Sequence, residues 1–343
     1  MLHELEIENF RCFEKLTAKP LGRVNLLVGK NNSGKTAFLD AVEMLTRKGP
    51  APWLPGLLRR REYTEQTVKD PQTGVLSHEW AVYPAALFRG HRVSRRLGLR
   101  IFSSGLVVYV AVDHDPSPRD GFFLFCEGTG RSDDTHTMTS DGAIRLIADS
   151  SLAIPSPAQT VLYLPTERAS ISALSPLWDE AQAGDEDALV HETLRYIEPR
   201  VDRLFVRGDG VNRNFWVRLK GQKELVRLGS LGDGMHHMLS IVLHLVNAKD
   251  KYLLVDEIDT GLHYTVLSKM WKMVIESARR LNIQVFATTH SMDCILALAE
   301  VHQQLELTPE DLMVHRLVAG MDKTQTYQPN DLVSVAQFQG EVR

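Results

Sequence analysis

Gly29-Lys30-Asn31-Asn32-Ser33-Gly34-Lys35-Thr36 decides how this chain is read. The eight residues satisfy G-x-x-x-x-G-K-[ST], the pattern of a phosphate-binding loop. The apolar run Val24 to Val28 before it predicts a buried strand, and Ala37 to Leu45 after it predicts a helix. Strand, glycine loop and helix in that order are the setting the pattern needs. Gly29 and Gly34 let the backbone bend so that several N–H groups point at one anion, and the new helix adds the positive end of its dipole. Lys35 then reaches the β- and γ-phosphates of a nucleotide, and the Thr36 hydroxyl takes a Mg²⁺ position. A glycine-serine turn falling before a helix by chance is the plain alternative, and the flanking strand and helix argue against it.

Three later stretches carry matching chemistry. Lys251 to Glu257 is an apolar strand ending in two carboxylates. Such a strand needs no acid at its tip, so the pair asks for a partner. Asp256 is placed to hold Mg²⁺ through water, and Glu257 to orient or deprotonate an attacking water. The next buried strand, Asn282 to Thr288, runs into Thr289-His290-Ser291. His290 at its tip is a sensor of the γ-phosphate, and Ser291 caps the following helix. Ser230-Leu231-Gly232-Asp233-Gly234-Met235 is a tight turn opening an apolar helix, and a glycine-rich helix N-terminus is a second anion site.

The rest of the chain frames these stations. Leu2 to Glu8 alternates apolar and polar residues and predicts a strand with one wet face, followed by a second strand near Leu16. Residues 50–160 read as a β-rich insertion with strands at Val93–Phe102, Leu106–Val112 and Phe122–Phe125 and a polar stretch from Gly128 to Asp141. Val161 to Leu164 is a short buried strand. Helices are expected over Ile171–Ala183 and Asp185–Pro199, and strands between Phe205 and Leu228. Tyr264 to Leu281 is a long helix whose Val266, Leu267, Met270, Trp271, Val274, Ile275 and Ala278 fall at helical spacing and form core. Leu312 onward reads as one or two edge strands.

The 343 residues carry a formal net charge of −4, 43% hydrophobic and 24% charged residues, so the chain is an ordinary globular protein and not a polycation. Any nucleic-acid contact must come from a local patch. Cys12, Cys126 and Cys294 are scattered, which fits a reducing cytoplasm and gives no metal-site spacing. The acidic opening has no secretion-signal character, and no apolar run approaches the ~20 residues of a membrane helix.

Taken together, the stations resemble an ABC-type ATPase of the SMC/RecF class, most like the ATPase of the OLD (overcoming lysogenization defect) family without its Toprim nuclease. The residues carrying the resemblance are Leu5 to Arg11, Gly29 to Thr36, Leu231 to Met235, Leu254 to Glu257 with Asp259 to His263, and Ala287 to Ser291. It covers roughly 1–46 and 225–300. The resemblance implies an α/β P-loop NTPase of ABC-ATPase type: a mixed sheet, a β-rich insertion and a helical signature subdomain. The whole chain is then one head: an N-terminal lobe over 1–49, the insertion over 50–165, a connecting region over 166–230 and a C-terminal lobe over 231–343.

It also implies that ATP lies between two copies, one offering the phosphate loop and carboxylates and the other its signature turn. On that pattern Lys30, Asn31, Asn32, Ser33, Lys35 and Thr36 with both loop glycines bind phosphate, Thr36 and Asp256 support Mg²⁺, Glu257 is the base and His290 the switch. Asp259 to His263 form the loop that crosses the dimer. Ser230 and Gly232 compete for the signature serine's place, with Asp233 and Gly234 beside them. His236-His237 stands where a basic pair is expected, with a charge set by pH. No stretch is identified with the glutamine loop. The partners implied are a second copy of this chain and a nuclease or other effector in trans. The first functional reading is the ATPase of an anti-phage or DNA-surveillance complex. A stand-alone RecF-like repair ATPase is the second, and a nucleotide-gated scaffold the third. Arg59 to Arg61, and Arg89, Arg92, Arg95, Arg96 and Arg100 with His91, are the basic clusters that contact DNA if DNA is bound.

Overall fold

The computed structural model describes residues 1–47, 160–208 and 213–332, with segments 63–69, 76–82, 87–89, 99–103, 106–114, 122–128, 136–138 and 144–145 between them. Strands β1 (Leu5–Phe10), β2 (Phe13–Ala18) and β3 (Val24–Val28) lead through the glycine loop into helix α1 (Lys35–Thr46). The next seven strands are β4 (Tyr63–Lys69), β5 (Leu76–Val82), β6 (Leu99–Ser103), β7 (Leu106–His114), β8 (Phe122–Gly128), β9 (His136–Met138) and β10 (Ile144–Arg145). After β11 (Val161–Leu164) come α2 (Ile171–Ala183) and α3 (Asp187–Leu194). Strands β12 (Val201–Arg207), β13 (Asn214–Leu219) and β14 (Leu225–Arg227) follow, then α4 (Asp233–Asn247). The chain continues with β15 (Tyr252–Val255), α5 (Tyr264–Arg280), β16 (Gln284–Thr288), α6 (Met292–Leu305), β17 (Leu312–Arg316) and β18 (Gln325–Tyr327).

These strands make three sheets. The first has the order β11-β15-β16-β3-β17-β18, parallel except for β18. Its inner strands β3 and β16 are buried along their whole length because both faces are covered. Side chains alternate between two cores: Leu26, Leu253, Val255, Val285 and Ala287 face helices α2 to α6. Leu27, Leu254 and Phe286 face α1 and the β1–β2 hairpin. The second sheet is antiparallel and nine-stranded, in the order β2-β1-β6-β7-β8-β9-β10-β5-β4. The insertion therefore extends the sheet that the N-terminal hairpin begins. The third is the small meander β12-β13-β14, which packs Leu204, Phe215, Val217 and Leu219 inward.

Three expectations change. β17 is interior, between β3 and β18, because the parallel β16–β3 pair needs a covered far edge and β18 supplies the outermost strand. The second helix of the pair is shorter, Asp187–Leu194, since the chain turns over 195–200 to enter the meander. β11 is the short buried strand expected, and it lies parallel to β15 at the edge of the sheet. The polar stretch after Gly128 contributes the short strand β9, paired with β8. Of Val93–Phe102, residues 93–98 lie outside the described residues. The core of α5 is as expected, and Trp271 Nε1 ties it to α6 by donating to the Cys294 carbonyl at 3.0 Å. Among the described residues no helix is long and apolar enough to cross a membrane.

Candidate active site

Three adjacent parallel strands end at nearly the same level. Leu27 of β3 is opposite Thr288 of β16, and Ala287 is opposite Val255 of β15. Everything that follows these tips is therefore crowded into one crevice at the carboxyl ends of the strands, where ligands bind in open α/β sheets.

The glycine loop leaves β3 with Gly29 at φ +148°, Asn32 at +61° and Gly34 at +97°. A Cβ on Gly29 would sit 2.5 Å from the Leu317 carbonyl oxygen, and one on Gly34 2.5 Å from the Phe13 ring. Only glycine fits either place. Lys30, Asn31 and Asn32 are exposed, while Ser33 and Lys35 are buried. Lys35 Nζ folds back over the loop and donates to the Gly29 carbonyl at 2.7 Å and the Lys30 carbonyl at 3.0 Å. Burial pushes its pKa below the usual lysine range, and the nearby negative charges of Asp256 and Glu257 partly restore it. Those carboxylates thus share the loop lysine's electrostatic neighbourhood.

β15 delivers Asp256 and Glu257. Asp256 Oδ1 accepts from the buried Thr288 hydroxyl at 2.6 Å, and the same Thr288 oxygen accepts the Glu257 N–H at 2.7 Å. Glu257 takes up a left-handed backbone, φ +54°, which a glutamate rarely adopts. That twist turns its side chain toward the next strand tip, where His290 Nε2 donates to Oε1 at 2.6 Å. Thr260 Oγ1 donates to Oε2 at 3.3 Å. Thr289 completes the tie: its N–H reaches the Leu27 carbonyl at 3.1 Å and its hydroxyl donates to Asp259 at 2.6 Å. Ser291 caps α6 by accepting the Cys294 N–H.

The turn at 230–234 sits elsewhere. Ser230 Oγ donates to the Arg227 carbonyl at 2.7 Å, Gly232 has φ +96°, and Asp233 opens α4. Arg168 Nη1 donates to Asp233 at 2.9 Å. A Cβ on Gly234 would lie 2.6 Å from the Gly261 carbonyl, and His237 Nε2 donates to the Ile258 carbonyl at 3.0 Å. The turn is packed against loop 258–261, and among the described residues no hydrogen bond or ion pair joins it to residues 29–36 of the same chain. Burial works against a charge on the histidine pair. Burial, together with the Arg168 and His237 charges, pulls His236 down to about 4, and burial lowers His237 as well. Burial thus favours the neutral form of both rings.

The structure therefore brings Gly29–Thr36, Asp256, Glu257 and His290 together, and leaves the exposed Ser230, Gly232 and Asp233 with the half-buried Gly234 as a second station. Thr288 and Thr289 lie in the Ala287–Ser291 stretch, but the sequence assigns them no role and does not single out Arg168. A hydroxyl at the tip of a strand flanking the carboxylate strand is the signal for the two threonines; Arg168 offered none. Of the basic clusters, Arg89 pairs with Glu14 and Arg100 lies 5.6 Å from the Phe102 ring centre. Arg59 to Arg61, His91, Arg92, Arg95 and Arg96 lie outside the described residues.

The family model for the AAA ATPase domain matches residues 1–73 and 180–295, more than half of the chain. This chain belongs to the AAA ATPase domain family. Its match includes the phosphate loop, the 230–234 turn, both carboxylates and His290. A Helicobacter pylori protein described as an ATP/GTP phosphatase is 23% identical over 341 residues, covering 88% of each chain. The DNA replication and repair protein RecF of Clostridioides difficile is 47% identical over 45 residues, 13% of this chain and 12% of that one. Among solved structures, an SMC head bound to the C-winged helix domain of ScpA superposes with a TM-score of 0.50 at 13% identity, over 97% of this chain and 99% of that one. The fold of this AAA ATPase domain is thus the ABC-type fold of an SMC head.

Proposed function

We propose that this chain is an ATP-hydrolysing ABC-type head that closes as a homodimer around ATP and Mg²⁺. The observation that carries the reading is the convergence on one crevice of a phosphate loop, two carboxylates, the second on a left-handed backbone, and a histidine 2.6 Å from that second one. The Helicobacter relative, described as a phosphatase of ATP and GTP, supports hydrolysis.

The residues fit a magnesium nucleotide. Mg²⁺ keeps few protein ligands and takes the rest from phosphate and water. Thr36 and Asp256 are such a set, and among the described residues no group of three metal-binding side chains competes for the ion. When bound, Mg²⁺ neutralises charge developing between the β- and γ-phosphates. The loop N–H groups and Lys35 hold the phosphates, Lys35 exchanging its bonds to the Gly29 and Lys30 carbonyls for phosphate oxygens. Thr288 keeps the Asp256 carboxylate aimed. Glu257 takes a proton from the attacking water, and His290 orients Glu257 and meets the γ-phosphate.

On this reading the far side of the triphosphate takes its contact from a second head. The exposed Ser230–Gly234 turn, with the backbone N–H groups that open α4, supplies it from a second copy. Loop 258–261 lies between that turn and Glu257 and so links the two stations. Glu257 is wasted on a pure scaffold, which disfavours the nucleotide-gated reading. We assign the protein to an OLD-like anti-phage or DNA-surveillance complex with its nuclease or other effector in trans. The short RecF match favours a repair ATPase acting on DNA as the second reading. The test is Glu257→Gln. It binds ATP, turns over at least about a hundredfold more slowly, and runs as a dimer in light scattering with ATP and Mg²⁺. A Glu257→Gln protein that hydrolyses ATP at the unmodified rate, or stays monomeric with ATP, sinks the reading.

A further inference from the structure

The β12-β13-β14 meander has two unlike faces. One packs Val201, Leu204, Phe215, Val217 and Leu219 into the core. The other carries Arg203, Phe205 and Arg207 on β12, Trp216 and Arg218 on β13, and Arg227 on β14. The four arginines are exposed and the two rings half-buried. The register interleaves them: Arg203 is opposite Arg218, Phe205 opposite Trp216, and Trp216 opposite Arg227. The Arg218 guanidinium lies 5.2 Å from the Phe205 ring centre, and that of Arg227 5.2 Å from the Trp216 ring centre. Among the described residues none of the four arginines is in an ion pair, although Arg200 and Arg213 near the same sheet each hold a carboxylate.

Like charges directly opposite across a strand pair destabilise a sheet. Arg203 and Arg218 stand so, with no ion pair to either among the described residues, and a bound polyanion relieves the repulsion. Phosphates alone would leave the rings without a task. A duplex presents little else on its outside, whereas a single strand also offers base faces that stack on aromatic rings and guanidinium planes. We propose that this face binds single-stranded nucleic acid, its phosphates on Arg203, Arg207, Arg218 and Arg227 and its bases on the Phe205 and Trp216 platforms. The site is separate from the nucleotide crevice and does not depend on dimer formation. It ends on Arg227, whose carbonyl accepts the Ser230 hydroxyl, so its occupant lies three residues from the 230–234 turn.

The test is fluorescence anisotropy of a labelled 20-nucleotide oligo(dT) with the full chain, against a duplex of the same length and a poly-glutamate competitor. The unmodified protein binds the single strand more tightly than the duplex. Arg218→Ala with Arg227→Ala weakens binding at least about tenfold and flattens the slope of log K against log salt by about 0.7 for each phosphate no longer neutralised. Trp216→Leu also weakens single-strand binding about tenfold but leaves the salt slope unchanged. Melting and basal ATP turnover, followed in parallel, stay as in the parent. The arginine pair decides the question if Trp216→Leu does not fold. No oligonucleotide binding at low salt overturns the proposal. So do equal affinity for duplex with no effect of Trp216→Leu, and single-strand binding untouched by either variant. Poly-glutamate binding without oligonucleotide binding would overturn it too, and assign the face to an acidic protein partner instead.

Discussion

The Thr288 hydroxyl donates to the Asp256 carboxylate at 2.6 Å across the tips of two parallel strands. The same oxygen accepts the Glu257 N–H, so one buried side chain holds the Asp256 carboxylate and the Glu257 backbone relative to β16. Thr288→Val keeps the shape and removes the donor. A lost hydrogen bond to a charged group costs about 1–3 kcal/mol, and Asp256 is freed to swing. Turnover should fall about tenfold with ATP affinity nearly kept, and Thr288→Ser should restore it. Steady-state kinetics beside ATP titration separate the two. An unchanged kcat in a folded Thr288→Val protein removes the threonine from the site.

Lys35 is bonded to the loop and feels the charge of both carboxylates, so its loss acts on binding rather than on the chemical step alone. Lys35→Ala removes the charge that meets the phosphates and leaves the Gly29 and Lys30 carbonyls without their donor. ATP affinity should drop about a hundredfold, because hydrogen bonds between ionised partners are the strong ones. Equilibrium binding of a fluorescent ATP analogue reads this without any need for turnover.

Gly34 couples the loop to the N-terminal hairpin. At φ +97°, with the Phe13 ring and Cys12 thiol against its face, it has no room for a methyl group. Gly34→Ala should cost roughly 2 kcal/mol from the backbone alone and displace Phe13. A lower melting temperature together with weaker ATP binding is the expected pair. Normal stability would mean the hairpin yields freely.

Acid should destabilise the fold through buried histidines. His315 is fully buried on β17, its Nδ1 paired with Thr324 and its Nε2 without a hydrogen-bond partner among the described residues. Burial lowers its pKa to about 4. The folded-state value lies below the unfolded one, so the unfolded chain binds the proton first. The stability His315 contributes is complete above about pH 6.5 and is lost as the pH falls toward 4, by roughly 3 kcal/mol at most. His315→Gln should flatten the fall of the urea midpoint between pH 6.5 and 4. Identical pH profiles would show that another group carries the effect.

The amino-acid sequence alone settled the loop, its strand and helix, the carboxylate strand, the α5 core and the cap at Ser291. Each is written in a period or a spacing of a few residues, and local backbone geometry converts such spacing directly into shape. It also put Glu257 and His290 at strand tips. Strand register then decided that the two tips lie level, and only register brings residues 33 positions apart to 2.6 Å. The left-handed Glu257, the Thr288 tie and the Arg168–Asp233 pair belong to that tertiary level. So do the joining of the insertion to the N-terminal hairpin and the arginine-aromatic face of the meander. Each depends on which strands become neighbours, a matter of long-range burial and pairing to which no local pattern points.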